Sequence, residues 1–246
     1  MSRPRQDTGA ASNVSLHTTG SQEAHPTSVH ADARPGQDHR RTGLRTPRIV
    51  IFDLGEVLAT PPGLYAALAA AIERRPEAVG AAYWAYRDAY DRGGSAQAFW
   101  SDVLAELGVS PAEDAVSELT RIDTEAWTTI RPDAVSLLCS LSTQGVRLGI
   151  LSNATREMAQ AARRTPWAAY VSDWFFSAEL RLAKPDQAIY SEVTNVLGYP
   201  PQSIVFVDDR PVNVEAAREA GWNAHTWTSG ENTRTLMSDL GLLPAR

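Results

Sequence analysis

Residues 48–58 read RIVIFDLGEVL. Ile49, Val50, Ile51 and Phe52 form an unbroken apolar run containing β-branched residues. A strand with one wet face would alternate, so this run predicts a strand buried on both faces. Such strands belong to parallel sheets covered by helices on either side. Similar runs recur at Val146–Leu151 and Ser203–Asp208, with weaker ones at Trp174–Phe176 and Asn223–Trp227. Between them lie Pro132–Gln144, Pro185–Leu197 and Pro211–Ala220. Each opens on Pro and is followed directly by Gly145, Gly198 or Gly221, the punctuation of a helix. Strands alternating with helices predict an α/β fold, with right-handed crossovers and a Rossmann-like parallel sheet.

Open parallel sheets bind ligands beyond the carboxyl ends of their strands. The first run ends at Asp53, the second is followed by Ser152 and Asn153, and the third ends at Asp208 and Asp209. Lys184 stands before the Pro185 helix. It is the only lysine of the chain, the other 22 of 23 cationic side chains being arginine. Three carboxylates, a hydroxyl, an amide and one ammonium group thus fall at one sheet edge. Crowded carboxylates either share protons or hold a hard cation, and Mg²⁺ suits a few carboxylates plus a phosphate. Ser152, the amides after it and Lys184 offer donors to an anion, and the helix expected after Asn153 adds its dipole. A cation, an anion cradle and an exposed carboxylate together suggest phosphoryl transfer with the carboxylate as nucleophile.

Composition narrows the alternatives. The chain has 246 residues, a net charge of -6 and a single cysteine, Cys139. These exclude a disulfide framework and a thiolate metal cluster, and argue against nucleic acid as a partner. No apolar run reaches the ~20 residues that span a bilayer, so no membrane role is expected, and a cytoplasmic location is. Residues 1–47 are rich in Ser, Thr, Gly, Pro, His and Arg and nearly devoid of large aliphatics. Such a segment cannot bury enough apolar surface to offset its ordering entropy and is expected to be a disordered tail. Four histidines lie in it, at spacings that match no ligand pattern. Residues 63–128 interrupt the alternation with four helical segments: Leu64–Arg75, Glu77–Asp91, Ala96–Leu107 and Pro111–Trp127. Aromatic residues gather there (Tyr65, Tyr83, Trp84, Tyr86, Tyr90, Phe99, Trp100) and are expected mainly in a small helical core, with a minority facing a substrate. The expected organisation is a core of 48–62 and 129–246 with a helical insertion at 63–128. Cys139 is expected in the core, and His225 in a structural role.

Four stretches in order resemble the motifs of the haloacid dehalogenase-like hydrolase superfamily. They are FDLGEVL at 52–58, ILSNA at 150–154, AKPD at 183–186, and VDDRP at 207–211 running on through Asn213 to Gly221 and Trp222. The resemblance spans 48 to about 228, and the insertion is similar to a helical C1 cap. YDRGG at 90–94, Phe99-Trp100 and Leu107-Gly108 resemble the subgroup with sugar-phosphate phosphatases and the phosphatase domains of epoxide hydrolases. The resemblance implies that Asp53 attacks phosphorus and forms an aspartyl-phosphate. It implies that Asp53, the Gly55 carbonyl and Asp208 hold Mg²⁺, with Asp209 acting through water or from behind. Ser152 and Asn153 would bind phosphate oxygens, and Lys184 would neutralise charge between phosphate and Asp53. The cap would close over a small phosphorylated substrate and exclude water.

One position departs from the pattern. The family's second motif I Asp, a general acid and base, is Gly55 here. That leaves the metal site intact and removes the usual proton donor to the leaving group, with Glu56 as the nearest substitute. The leading expectation is a Mg²⁺-dependent phosphatase. The alternatives are a metal-independent haloacid dehalogenase, which would turn Asp53 on carbon, and a catalytically weak binding or regulatory domain of the same fold, which Gly55 favours.

Overall fold

The computed structural model describes residues 47–245. The tail expected at 1–47, with its four histidines, lies outside them except for Pro47. Strand β1 (Ile49–Phe52) is followed by four helices: α1 (Leu64–Ala71), α2 (Pro76–Asp91), α3 (Ala96–Glu106) and α4 (Glu113–Thr128). Then come α5 (Pro132–Thr143), β2 (Leu148–Ser152), α6 (Arg156–Ala162), β3 (Asp173–Phe176), α7 (Ser177–Leu180) and α8 (Gln187–Leu197). The chain closes with β4 (Ile204–Asp208), α9 (Pro211–Glu219), β5 (Asn223–Thr226) and α10 (Gly230–Asp239). Among the described residues no helix is long and apolar enough to cross a membrane.

The five strands pair in the order β3-β2-β1-β4-β5, every pair parallel. This is the α/β sheet that the apolar runs predict. β1, β2 and β4 are buried along their whole length, because helices cover both faces. Phe52 pairs with Ile150 on one side and Val207 on the other. That register sets the ends of β1, β2 and β4 within two residues of one another. The order reverses at β1, with later strands on either side of it, so a crevice opens beyond its carboxyl end.

The four inserted helices sit directly after β1, as the broken alternation predicts. Tyr83, Tyr90, Phe99 and Trp100 are buried in their core, and Tyr90 stacks on Phe99 at 4.6 Å. The apolar cluster of these helices is continuous with that on one face of the sheet. Some expectations differ in detail. The helix expected to open at Pro185 starts at Gln187; Pro185 lies in a turn, joined to Lys184 by a cis peptide bond. The first inserted helix stops at Ala71, the helix expected after Asn153 is α6, opening at Arg156, and α7 and α10 are additional. Cys139 is exposed, not core. On α5 the buried positions are Ala134, Leu137, Leu138 and Leu141, and a residue one step past Leu138 is rotated out of that stripe. His225 lies within β5 and its Nε2 is 2.8 Å from Asn223 Oδ1, a local contact in keeping with a structural role.

Candidate active site

β1 runs out at Phe52, and the Asp53 N–H still donates to Val207 O at 2.9 Å, as if the sheet continued. This holds Asp53 at the crevice. The loop behind it is tight: Leu58 and Ala59 both donate to Leu54 O, and Glu56, at φ 54°, donates to Ala59 O. Asp53 Oδ1 accepts from its neighbour's N–H, Leu54, at 2.7 Å, and from Lys184 Nζ at 2.9 Å.

Lys184 is the hub. Its ammonium donates to Asp53 Oδ1 at 2.9 Å, Asp208 Oδ2 at 2.6 Å and Leu151 O at 2.9 Å. Those three acceptors match its three protons. Burial by itself would favour the neutral amine, but Asp208 and Asp53 more than offset it, and the group is held charged with its pKa above the usual lysine range. Its backbone is clamped by one side chain: Asn153 Nδ2 donates to Lys184 O at 2.8 Å, and Lys184 N donates to Asn153 Oδ1 at 2.9 Å. Both ends of the Asn153 amide therefore hold Lys184 in place.

Asp208 is completely buried. Its Oδ1 accepts from Arg210 N and Asn213 Nδ2, each at 2.9 Å, and its Oδ2 accepts from Lys184 Nζ and again from Asn213 Nδ2 at 3.1 Å. Asp209 is half-buried and lines the crevice. Each of Asp53, Asp208 and Asp209 offers an oxygen within 4.8 Å of the others. Burial raises the Asp53 carboxyl to about 6, helped by Asp208 and opposed by Lys184 and by a hydrogen bond from Ser152. Asp209 is raised too, first by burial and then by Asp208. Three carboxylates against one ammonium leave an excess of negative charge in a buried place. A hard, oxygen-seeking divalent cation fits that donor set, and the Gly55 backbone carbonyl is the same kind of ligand.

The crevice has a volume of about 610 Å³. The inserted helices supply its far wall with Trp84, Arg87, Asp88, Asp91, Arg92 and Trp127. Arg87 is buried, with Nε on Asp91 at 2.7 Å and one terminal nitrogen on Asp123 at 3.3 Å. Asp123 Oδ1 accepts from Tyr83 Oη at 2.7 Å, and Tyr83 Oη accepts from Trp127 Nε1 at 3.0 Å. A chain of polar contacts thus crosses from α2 to α4 and ends on an indole that faces Gly55. Arg92 reaches Asp186 at 2.9 Å, joining α2 to the turn that carries Lys184.

All seven residues expected from the sequence (Asp53, Gly55, Ser152, Asn153, Lys184, Asp208, Asp209) gather here. Asn213, Trp84, Trp127 and the Arg87–Asp91–Asp123 network belong to the site as well. Asn213 stood inside the fourth motif, in the first turn of the helix that follows Asp208, where a side chain can reach back to the strand end. Nothing local marks Trp127 or Asp123, which reach the crevice only by helix packing.

A family model described as haloacid dehalogenase-like hydrolase matches residues 47–221. The flavin mononucleotide hydrolase 1 of Arabidopsis thaliana is 38% identical over 74 residues, 30% of this chain and 30% of that protein. A phosphatase of Mycobacterium tuberculosis is 32% identical over 153 residues, 60% of this chain and 68% of its own length. Other relatives of similar distance are (S)-2-haloacid dehalogenases. Among solved structures, the L-2-haloacid dehalogenase of Xanthobacter autotrophicus with chloropropionic acid covalently bound superposes with a TM-score of 0.61. It is 22% identical, covering 80% of this chain and 85% of that one, a likeness of fold.

Proposed function

We propose, on the premise that this chain belongs to the haloacid dehalogenase-like hydrolases, that it is a Mg²⁺-dependent phosphatase. Its substrate would be a small phosphorylated metabolite. The observation that carries this reading is the charge of the crevice. Lys184 has an acceptor for each of its protons, and Arg87 is neutralised by Asp91 and Asp123. Arg92 is likewise engaged by Asp88 and Asp186, and Arg210 stands at the exposed rim. A haloacid would bring its carboxylate to Asp53, Asp208 and Asp209 with neither Lys184 nor Arg87 free to receive it. A phosphate arriving with a divalent cation meets a site of matching charge.

Asp53 and the Gly55 carbonyl would hold the cation. For the third ligand the hydrogen bonds favour Asp209 over Asp208. Asp208 is buried and already accepts on both oxygens, whereas Asp209 borders the open crevice. Asp208 then serves as the strut that fixes Lys184. When bound, the cation supplies charge neutralisation to the phosphate and to the reacting carboxylate.

The carboxylate of Asp53 attacks phosphorus. A carboxylate–phosphorus bond forms, and the ester bond breaks with its electron pair on the leaving oxygen. Lys184, hydrogen-bonded to Asp53 Oδ1, orients the carboxylate and balances the charge that gathers around phosphorus. The Ser152 hydroxyl and the backbone N–H of Asn153 are the donors for phosphate oxygens. Water then attacks the phosphorus of the acyl phosphate, freeing inorganic phosphate and restoring Asp53. The inserted helices exclude bulk water.

The test is release of phosphate from a panel of phosphorylated metabolites with Mg²⁺ or with chelator, alongside release of chloride from 2-chloropropionate. The expected outcome is chelator-sensitive phosphate release, lost in Asp53→Asn with the fold retained, since an amide is isosteric but a poor nucleophile. Metal-independent chloride release would assign the dehalogenase activity instead. Binding of phosphate with neither turnover would assign a non-catalytic domain.

A further inference from the structure

We infer that the exposed indole of Trp84 is a stacking platform for the leaving group, and that the substrates are aryl phosphate monoesters. This rests on the phosphatase reading and adds the substrate class to it.

Two independent features of the crevice converge on an aromatic leaving group. The first is Trp84 itself. It is 56% exposed, one of only three large hydrophobic side chains left open among the described residues, and it lines the catalytic crevice. It is also held in place. Its Nε1 donates to Tyr65 Oη at 2.6 Å, and the ring of Tyr83 meets it edge-on, with centroids 5.2 Å apart at 86°. An indole fixed by its neighbours yet open to the cavity loses little freedom when a flat ring lands on it, so more of the stacking energy appears as affinity.

The second feature is the place where a proton donor would stand. Gly55 has no side chain, and a Cβ added there would touch the six-membered ring of Trp127 at 3.4 Å. Trp127 is held by its bond to Tyr83 Oη, the same tyrosine that braces Trp84. The carboxylates of the far wall are engaged, Asp91 with Arg87 and Asp88 with Arg92; Glu56 borders the crevice from its exposed rim, one residue past Gly55 on a backbone turned to φ 54°. An alkoxide departing into this space meets indole where other members of the fold would offer an acid. A phenolate, far more stable as an anion, leaves without that help, since general acid catalysis matters most for poor leaving groups. The chemistry that the site lacks and the surface that it exposes therefore select one class of ester.

The experiment uses the full-length Mg²⁺-loaded protein and two variants, Trp84→Ala and Trp84→Phe. The substrates are phenyl phosphate, which has both a ring and a good leaving group, and acetyl phosphate, which has only the latter. We expect Trp84→Ala to raise KM for phenyl phosphate about tenfold relative to its effect on acetyl phosphate, with kcat little changed. Trp84→Phe should keep most of the preference. Equal changes for both substrates in Trp84→Ala, or no change for phenyl phosphate, would overturn the inference. If the wild type hydrolyses neither, the phosphatase reading fails on its own, and calorimetric titration with phenyl phosphate decides the platform. Weaker binding by about tenfold in Trp84→Ala supports it, and equal binding overturns it.

Discussion

Lys184 shows how much one residue carries here. It is the only lysine, and its three protons have three acceptors, two of them carboxylates. Removing one partner of a buried ionic group leaves uncompensated charge, at a typical cost of about 3–5 kcal/mol. Lys184→Met leaves Asp53 and Asp208 facing each other. It should lower the unfolding free energy in denaturant titrations by an amount of that order and abolish turnover. The two adjacent aspartates should separate cleanly. Asp208→Asn unseats Lys184 and Asn213 and should lower Tm even in chelator. Asp209→Ala, whose side chain is half-buried with Asp208's charge beside it, should leave Tm in chelator nearly unchanged while calorimetry shows Mg²⁺ binding lost. Mg²⁺ binding that survives Asp209→Ala would return the ligand role to Asp208.

Among the elements, α2 and α4 hold the crevice wall through a network with two acids to one base. Burial lifts the Asp91 carboxyl to about 6, against the pull of Arg87, and lifts Asp123 to about 6 likewise. Both folded values lie above the unfolded value of 3.8. Between about pH 4 and 6 the native state therefore binds more protons than the unfolded chain. Stability from these two groups is greatest at the acid end, falls as pH rises through that window, and is level above it. In Asp123→Asn the amide can still accept from Tyr83, and one of the two titrations is gone. The Tm difference, variant minus wild type, should grow more favourable to the variant from pH 4 to 6 and then stay constant. A difference independent of pH would mean that Asp123 is ionised throughout. The strand elements show the opposite economy: β1, β2 and β4 contain no ionisable side chain until their ends, where Asp53, Ser152 and Asp208 are placed by register.

For the whole molecule, residues 47–245 contain all five strands, the helical insertion and every residue of the crevice. Deleting residues 1–46 should therefore leave Tm and turnover close to those of the full chain; a large drop in either would place part of the function in that segment. Much of this architecture was legible in the sequence. Uninterrupted apolar runs at 49–52, 148–151 and 204–207 read as strands buried on both faces from their shortness and β-branched content, and Pro and Gly mark the helices between them. The parallel sheet followed, and with it the convergence of Asp53, Ser152, Lys184, Asp208 and Asp209, because polar residues at strand ends must meet at one edge. Local pattern missed what depends on rotation and packing. Cys139 sits one residue from a buried leucine and faces outward because each helical residue turns by about a quarter of a circle. The side chain of Asn153 clamps the Lys184 backbone, a contact between residues 31 apart that its place after β2 does not reveal. Trp127 and Asp123 lie some 70 residues from Asp53 in the chain, and the packing of α4 against α1, α3 and α6 brings them to the site. The sequence by itself determined the sheet, its helices and the residues at its carboxyl edge, since strand burial and register act over a few residues. Only the tertiary structure decided which aspartate is walled in and which stays open, and which indole stands against Gly55 and which against solvent, since those depend on what distant helices place beside them.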